Sequence, residues 1–328
     1  MCKLKISFYT ISVIFLSACE KEISISDPGN LVPKTVEQDQ SLPYISVNGT
    51  QFHAETFGNP NDPMVVFLHG GPGADYRNGL NAQQLADNGY FMVFFDQRGC
   101  GLSKRHNKDS YSIQLLFDDL AAVIAHYRNS PDQKIFLFGH SWGAIVATGY
   151  INKYPERIQG VILAEPGGLT WDDIEKYNEK SKKNGLFTEA TSNILNVDQF
   201  ITGKDNQHEI LDYKLGLLSP FGYKKDNEEG VEGASPFWRN GAAILAGLLD
   251  IGERDGYDFT TNLSQYTTNV LLLYSENNTS YGSQIAVEEA SKFPNSQVAK
   301  INDTGHEMIY FKWNSVYPIV LNYLNSLK

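Results

Sequence analysis

Ile135-Phe136-Leu137-Phe138-Gly139-His140-Ser141-Trp142-Gly143-Ala144 reads as three things in succession: an apolar strand, a sharp turn and the start of a helix. A continuous apolar run of this length suits a strand covered on both faces, as in a parallel sheet. The turn carries Gly-x-Ser-x-Gly, and that spacing has a steric cause. A serine at the apex takes unfavourable backbone angles, and its neighbours two residues away must be small. The hydroxyl of Ser141 is thereby raised above the sheet as a nucleophile. The first N–H groups of the following helix lie beside it, where they can stabilise a developing oxyanion.

Working outward, similar apolar runs stand at Met64–Leu68, Phe91–Phe95, Val161–Ala164 and Val270–Tyr274, with a weaker one at Val298–Ile301. Helix-like patterns fall between them at Ile113–Tyr127, Ala144–Tyr154 and Ser283–Phe293. Asn48-Gly49 inside Tyr44–Phe57 marks a hairpin. Alternating strands and helices predict an α/β fold, a mostly parallel sheet flanked by helices. From Thr170 to Leu263 no clean strand run occurs, and this stretch reads as an inserted helical cap. The expected division is a core at 44–169 and 264–328 with a cap at 170–263.

Two further segments carry chemistry. Val65-Val66-Phe67-Leu68-His69-Gly70-Gly71-Pro72-Gly73 runs from a strand into a glycine-rich loop, so that the Gly71 N–H can join the Trp142 N–H as an oxyanion hole. His69 precedes the nucleophile in the chain and reads as a loop-bracing residue. Downstream, Ile301-Asn302-Asp303-Thr304-Gly305-His306-Glu307 sets a histidine after the last apolar run. Of the seven histidines, His306 has the context of a general base, a role that needs a group titrating near working pH.

His69-Gly70-Gly71-Pro72-Gly73, Asp96-Gln97-Arg98-Gly99-Cys100-Gly101-Leu102-Ser103 and Gly139-His140-Ser141-Trp142-Gly143 together resemble the proline iminopeptidases and their relatives in the α/β-hydrolase superfamily. The resemblance runs from Tyr44 to the C-terminus, with its specific motifs in the first half. It implies the α/β-hydrolase fold, a cap over the site and release of an N-terminal residue, often proline, from short peptides. It also makes Cys100 a turn residue with no redox role. The family's triad acid follows the seventh strand as Gly-x-x-Asp, but here Leu272-Leu273-Tyr274-Ser275-Glu276-Asn277-Asn278 puts Asn278 at that place. An amide cannot stabilise an imidazolium as a carboxylate does. Glu165, directly after Val161–Ala164, is the first replacement, since some α/β-hydrolases such as haloalkane dehalogenases carry their acid there. Glu276 is the second candidate and Asp303 the third.

The family's cap carboxylates hold a substrate ammonium. This cap offers Glu175, Glu179, Glu189, Glu228, Glu229 and Glu232, without the family's Trp-x-x-Trp-Glu run. Phe237 and Trp238 suit anchoring of the cap to the sheet better than lining a pocket. The expected activity is cleavage of a small amide or ester through an acyl-enzyme, with an iminopeptidase-like aminopeptidase favoured. An esterase or lipase-like hydrolase and a catalytically silent binding protein, the latter suggested by Asn278, remain the alternatives. A haloalkane dehalogenase or epoxide hydrolase would place a carboxylate where Ser141 stands. No metal or organic cofactor is indicated.

The N-terminus reads as an address. Lys3 and Lys5 precede an apolar stretch from Ile6 to Leu16, which is shorter than the roughly 20 residues that span a bilayer. It ends in Leu16-Ser17-Ala18-Cys19, which resembles a bacterial lipobox and implies cleavage after residue 18 and acylation of Cys19. Residues 19–43 would then be a tether, with the protein held to a membrane of the cell envelope outside the cytoplasm. Three cysteines in all, Cys2, Cys19 and Cys100, are too few for a disulfide framework or a zinc site. A net charge of -11 with no basic run excludes a phosphate backbone as a partner. The expected partners are a small-molecule or short-peptide substrate and, through the anchor, a membrane.

Overall fold

A strand that is apolar at every position is stable only if both its faces are covered. Four strands meet that condition: β3 (Met64–Leu68), β4 (Phe91–Phe95), β5 (Ile135–His140) and β6 (Gly160–Ala164) are buried throughout. They form the centre of an eight-stranded sheet in the order β1-β2-β4-β3-β5-β6-β7-β8, with β1 (Tyr44–Val47), β2 (Thr50–Phe57), β7 (Val270–Ser275) and β8 (Ser296–Ile301) outside them. From β4 to β8 every pairing is parallel, and β1 and β2 join antiparallel. Asn48 (φ 45°) and Gly49 (φ 71°) turn the β1–β2 hairpin in the left-handed region that a two-residue loop of this kind requires. The computed structural model describes residues 31–181, 207–218, 227–234 and 236–328. The expected signal peptide, Cys2, Cys19 and Glu189 lie outside the described residues.

Period-2 alternation sorts the strand side chains into two cores. Val66, Leu68, Leu137 and Leu163 face one way, against α1 (Ile113–Tyr127) and α2 (Trp142–Lys153). Val65, Phe67, Phe136, Phe138 and Ile162 face the other. That second face is covered by a 3-10 segment, Tyr76–Asn88, and by the C-terminal helix Trp313–Leu327. Full burial of each such side chain contributes roughly 1.5–3 kcal/mol, so the sheet and its two covers stand or fall together.

Between β6 and β7 the described residues form α3 (Trp171–Lys180), α4 (Gln207–Leu218) and α5 (Ala242–Asp255), with one isolated bridge, Thr170 to Asp258. After β7 come α6 (Gly282–Ala290) and, past β8, α7 (Met308–Phe311) before the C-terminal helix, α8. One expectation differs from the structure. Residues 31–43 are docked on the body where a free tether was expected: Val36 is fully buried and its N–H donates to Leu102 O at 2.8 Å. Arg239 Nη1 donates to Pro33 O at 2.8 Å and the Leu31 N–H to Glu209 Oε1 at 2.6 Å. An apolar side chain and a set of strong donors and acceptors are enough to hold this segment down.

Glu289 on α6 is buried and accepts the Tyr281 hydroxyl on Oε2, and Oε1 has no hydrogen-bond partner among the described residues. Burial pushes its carboxyl up from 4.5 to about 8. A raised folded-state value means that stability is fully present below the unfolded value and is lost as pH rises through the folded one. Glu289→Gln is therefore expected to gain thermal stability relative to the parent chain as pH goes from 5 to 8. Equal melting-temperature differences at the two pH values would contradict this.

Candidate active site

The parallel register brings loop ends together. Leu68 pairs with Gly139, His140 with Ala164 and Ala164 with Leu273, so the residues that follow β3, β5, β6 and β7 emerge side by side at one edge of the sheet. The Ser141 N–H donates to Ala164 O at 2.8 Å and the Glu165 N–H to Leu273 O at 3.1 Å, carrying the ladder into the site. This is the carboxyl edge, where open α/β sheets hold their ligands.

Ser141 sits at φ 52°, ψ -122°, a strained geometry for a residue with a side chain, and it caps the N-terminus of α2. The flanking glycines are needed for lack of room. A Cβ on Gly143 would collide with the Leu68 carbonyl, and one on Gly139 with the backbone of Gly143 and Ala144. The Trp142 N–H belongs to the first turn of α2, where helical donors have no acceptor within the helix. On the facing loop, a Cβ on Gly70 would lie 3.0 Å from the Ser141 Cβ, so the chain at 70–71 passes against the serine. Gly71 takes φ 123°, open to glycine only, and a Cβ there would lie 2.6 Å from Gly73 N.

The glycine loop and the neighbouring 96–103 turn are braced by buried side chains. The Gln97 N–H donates to His69 Nε2 at 2.9 Å, which leaves Nδ1 to donate to Gly70 O at 2.8 Å. His69 is thus committed on both nitrogens, and burial holds its pKa below the ordinary imidazole value. Fully buried Asp96 accepts from Tyr76 N, Leu102 N and His53 Nδ1 at 3.0, 2.7 and 2.8 Å. Arg98 binds Asp119 through two nitrogens at 2.7 and 2.6 Å and also donates to Asn48 O, tying the hairpin to α1. Burial pushes the Cys100 thiol up, and its Sγ lies 3.7 Å from Arg98 O.

His306 is 3% exposed and follows β8. Its Nδ1 donates to Glu165 Oε2 at 2.7 Å. Glu165 is fully buried at φ 45°, a backbone turn that sends its side chain across the end of β7. There Oε1 accepts the Ser275 N–H and the Ser275 hydroxyl, each at 2.6 Å, and Oε2 also accepts Asn278 Nδ2 at 2.8 Å. Glu276 lies elsewhere, exposed and bound to Lys300 at 2.7 Å and to the Asp303 N–H at 3.0 Å, both of which hold its pKa down. Asp303 is an exposed turn residue at φ 55°. Of the three candidate carboxylates, Glu165 is the one hydrogen-bonded to the imidazole.

The loop carrying His306 is held from two sides. His140 Nε2 donates to His306 O at 2.8 Å, and Asn78 Nδ2 donates to His140 Nδ1 at 3.2 Å and to Glu307 Oε2 at 2.9 Å. From the 227–234 segment, Glu229 O accepts the His306 N–H at 2.8 Å. The Glu229 side chain accepts the Tyr177 hydroxyl at 2.6 Å, and the Tyr177 and His306 ring centroids are 6.1 Å apart. Glu229 is buried, whereas Glu175, Glu179 and Glu232 are exposed. The backbone N–H groups of Trp238 and Arg239 donate to Asp75 Oδ2 at 2.5 and 3.2 Å. The Trp238 ring packs edge-on to His53 and Tyr76, an anchor to the body.

Ser275, Tyr177, Asn78 and His140 as a loop brace were not evident from the sequence. The nearest signal was Ser275 itself, a polar residue closing an apolar strand.

A family model described as the alpha/beta hydrolase fold matches residues 63–312. The chain is 34% identical over 120 residues to the AB hydrolase superfamily protein YfhM of Bacillus subtilis, 36% of this chain and 41% of that one. It is 31% identical over 128 residues to the proline iminopeptidase of Thermoplasma volcanium, 39% and 42% of the two chains. Epoxide hydrolase B of Mycobacterium tuberculosis is 35% identical over 121 residues, 36% and 33% of the two chains. The chain spans less than half the length of these curated relatives. Among solved structures, a proline iminopeptidase-related protein of Thermus thermophilus superposes with a TM-score of 0.63 at 18% identity, over 87% of this chain and 97% of that one. A thermophilic esterase of Thermogutta terrifontis gives 0.59 at 20% identity, over 87% and 99%. At these identities the likeness is one of fold. The core that builds the serine turn, the glycine loop and the histidine loop lies inside the matched stretch, and the chain belongs to the α/β-hydrolase fold family.

Proposed function

We propose that the chain is a serine hydrolase that cleaves a small amide or ester through an acyl-enzyme, with Ser141, His306 and Glu165 as its triad. The observation that carries the reading is the 2.7 Å hydrogen bond from His306 Nδ1 to the buried Glu165 carboxylate. A carboxylate accepts, so Nδ1 carries the proton and Nε2 is left with a lone pair for the serine proton. Ser141 Oγ attacks the substrate carbonyl, and the N–H groups of Gly71 and Trp142 receive the oxyanion. His306 passes the proton to the leaving group, then activates the water that releases the acyl chain. The positive charge that the imidazole carries in between is balanced by Glu165.

The favoured subtype is an aminopeptidase similar to the proline iminopeptidases. The motif resemblance supports it, and so does Glu229, a buried carboxylate of the 227–234 segment whose neighbour Tyr177 stands beside the His306 ring. A carboxylate so placed suits a free ammonium at the substrate's N-terminus. Leu16-Ser17-Ala18-Cys19 supports a lipid anchor on Cys19 and residence in the cell envelope.

Four outcomes test these readings. A fluorophosphonate probe should label the wild type and not Ser141→Ala, and Glu165→Gln should lower kcat by roughly 10²–10⁴-fold. An unlabelled wild type would sink the enzyme reading. Proline naphthylamide should be cleaved with a higher kcat/KM than short acyl esters, and the reverse ranking makes the protein an esterase. Cys19→Ala should move the protein from membranes to the soluble fraction on lysis. Continued membrane attachment would refute the anchor.

A further inference from the structure

We propose that Asn278 and Ser275 are positioning residues that form a donor clamp on Glu165, and that positions 165 and 278 work as an exclusive pair, one carboxylate and one amide. The inference rests on the serine-hydrolase reading given above.

The Asn278 amide has one orientation. It is 1% exposed, and its Oδ1 accepts the N–H groups of Ser280 and Tyr281 at 3.1 and 3.2 Å. A flipped amide would aim its NH₂ at two donors and its oxygen at a carboxylate, losing every bond it makes. Nδ2 is therefore fixed toward Glu165 Oε2 at 2.8 Å. Ser275 holds the other oxygen with its N–H and hydroxyl, so donors from the end of β7 meet both carboxylate oxygens while His306 takes one of them. A glutamate has one more rotatable bond than an aspartate, and this one reaches its histidine from β6 across β7. The clamp removes that freedom.

The 3.5 Å from Asn278 Nδ2 to His306 Nδ1 separates two donors and is no hydrogen bond while Nδ1 keeps its proton. It does show that a side chain at 278 reaches the imidazole. An aspartate there would lie against Glu165, and two buried carboxylates at that range cannot both ionise freely. With Glu165 present, position 278 must be neutral and donating.

The groups facing His306 are Glu165 from β6, Tyr177 from α3, His140 from β5, the Glu229 segment and adjacent Glu307. Asn278 itself donates to Glu165 Oε2 at 2.8 Å and stands 3.4 Å from the Tyr177 hydroxyl, so substitution at 278 removes those two bonds and leaves the charged residues themselves in place. A shift in the acidic limb of the reaction then reports the changed field at the imidazole, which loss of packing alone would not produce.

The rate of fluorophosphonate labelling at Ser141, followed from pH 5 to 9, gives the test. Asn278→Ala should label several-fold more slowly at pH 7, and its acidic limb should move to higher pH because the carboxylate, with one donor fewer, pulls harder on the imidazole proton. Asn278→Asp should move the limb further up. Glu165→Gln should label on the order of 10²-fold more slowly. The double variant Glu165→Gln, Asn278→Asp should recover at least ~10-fold of that, with acid and amide exchanged. If Glu165→Gln is slow but neither single variant at 278 moves the limb and the double variant recovers nothing, the clamp is refuted and the triad stands. If Glu165→Gln labels at the wild-type rate, the triad reading falls as well. Should the alanine variant fail to fold, the near-isosteric Asn278→Asp and the double variant decide.

Discussion

A buried carboxylate is tolerated in a protein only when its oxygens are met by donors, and Glu165 is the carboxylate on which this site converges. It joins the chain after β6 to the chain after β8 through a hydrogen bond of 2.7 Å to a histidine 141 residues away. That bond exists because parallel strands deliver their following loops to the same edge, in the spatial order of the sheet. The serine turn, the glutamate and the Ser275–Asn278 segment occupy neighbouring strand ends, and the histidine loop follows on the next. Each loop is then tied down by its own bonds, so that the constellation is stiff before any substrate arrives.

The same stiffness spreads into the region between β6 and β7. Glu229 O receives the His306 N–H, Asp75 receives the backbone of Trp238 and Arg239, and Gly73 O receives the Gly241 N–H at 2.7 Å. Asp212 Oδ2 takes Arg105 and Arg239 together at 2.9 and 2.7 Å, while Arg239 also reaches back to Pro33. The described parts of this region thus bond to the glycine loop, to the histidine loop and to the N-terminal segment. A change in how they sit would be felt at the glycine loop and at the imidazole alike.

Much of this was legible in the residues. The apolar runs named the strands of the parallel sheet within a residue or two: the inner ones because burial on both faces leaves no other pattern, and β8, largely uncovered, as the weakest run. Gly139 and Gly143 around Ser141 were legible because the turn leaves no room for a Cβ. The 3-10 segment Tyr76–Asn88 was not, since its apolar residues are sparse and its boundary signals, Asp75 and Gly89, are single residues. Docking of residues 31–43 was hidden for a related reason: Val36 is one apolar side chain among polar ones, and its burial is decided by distant partners. Asn278 read as a loss from sequence alone. Its value as a donor depends on a carboxylate 113 residues away that chain order does not place beside it.

The central claim is that Glu165 fixes which imidazole nitrogen of His306 carries the proton. Nitrogen NMR of histidine-labelled protein at pH 8, with the His306 signals assigned by substitution, measures this directly. A protonated Nδ1 and a bare Nε2, with that preference weakened in Glu165→Gln, is the predicted result. A proton on Nε2 in the wild type would contradict the account, because the ring would then present a donor to Ser141 in place of a base.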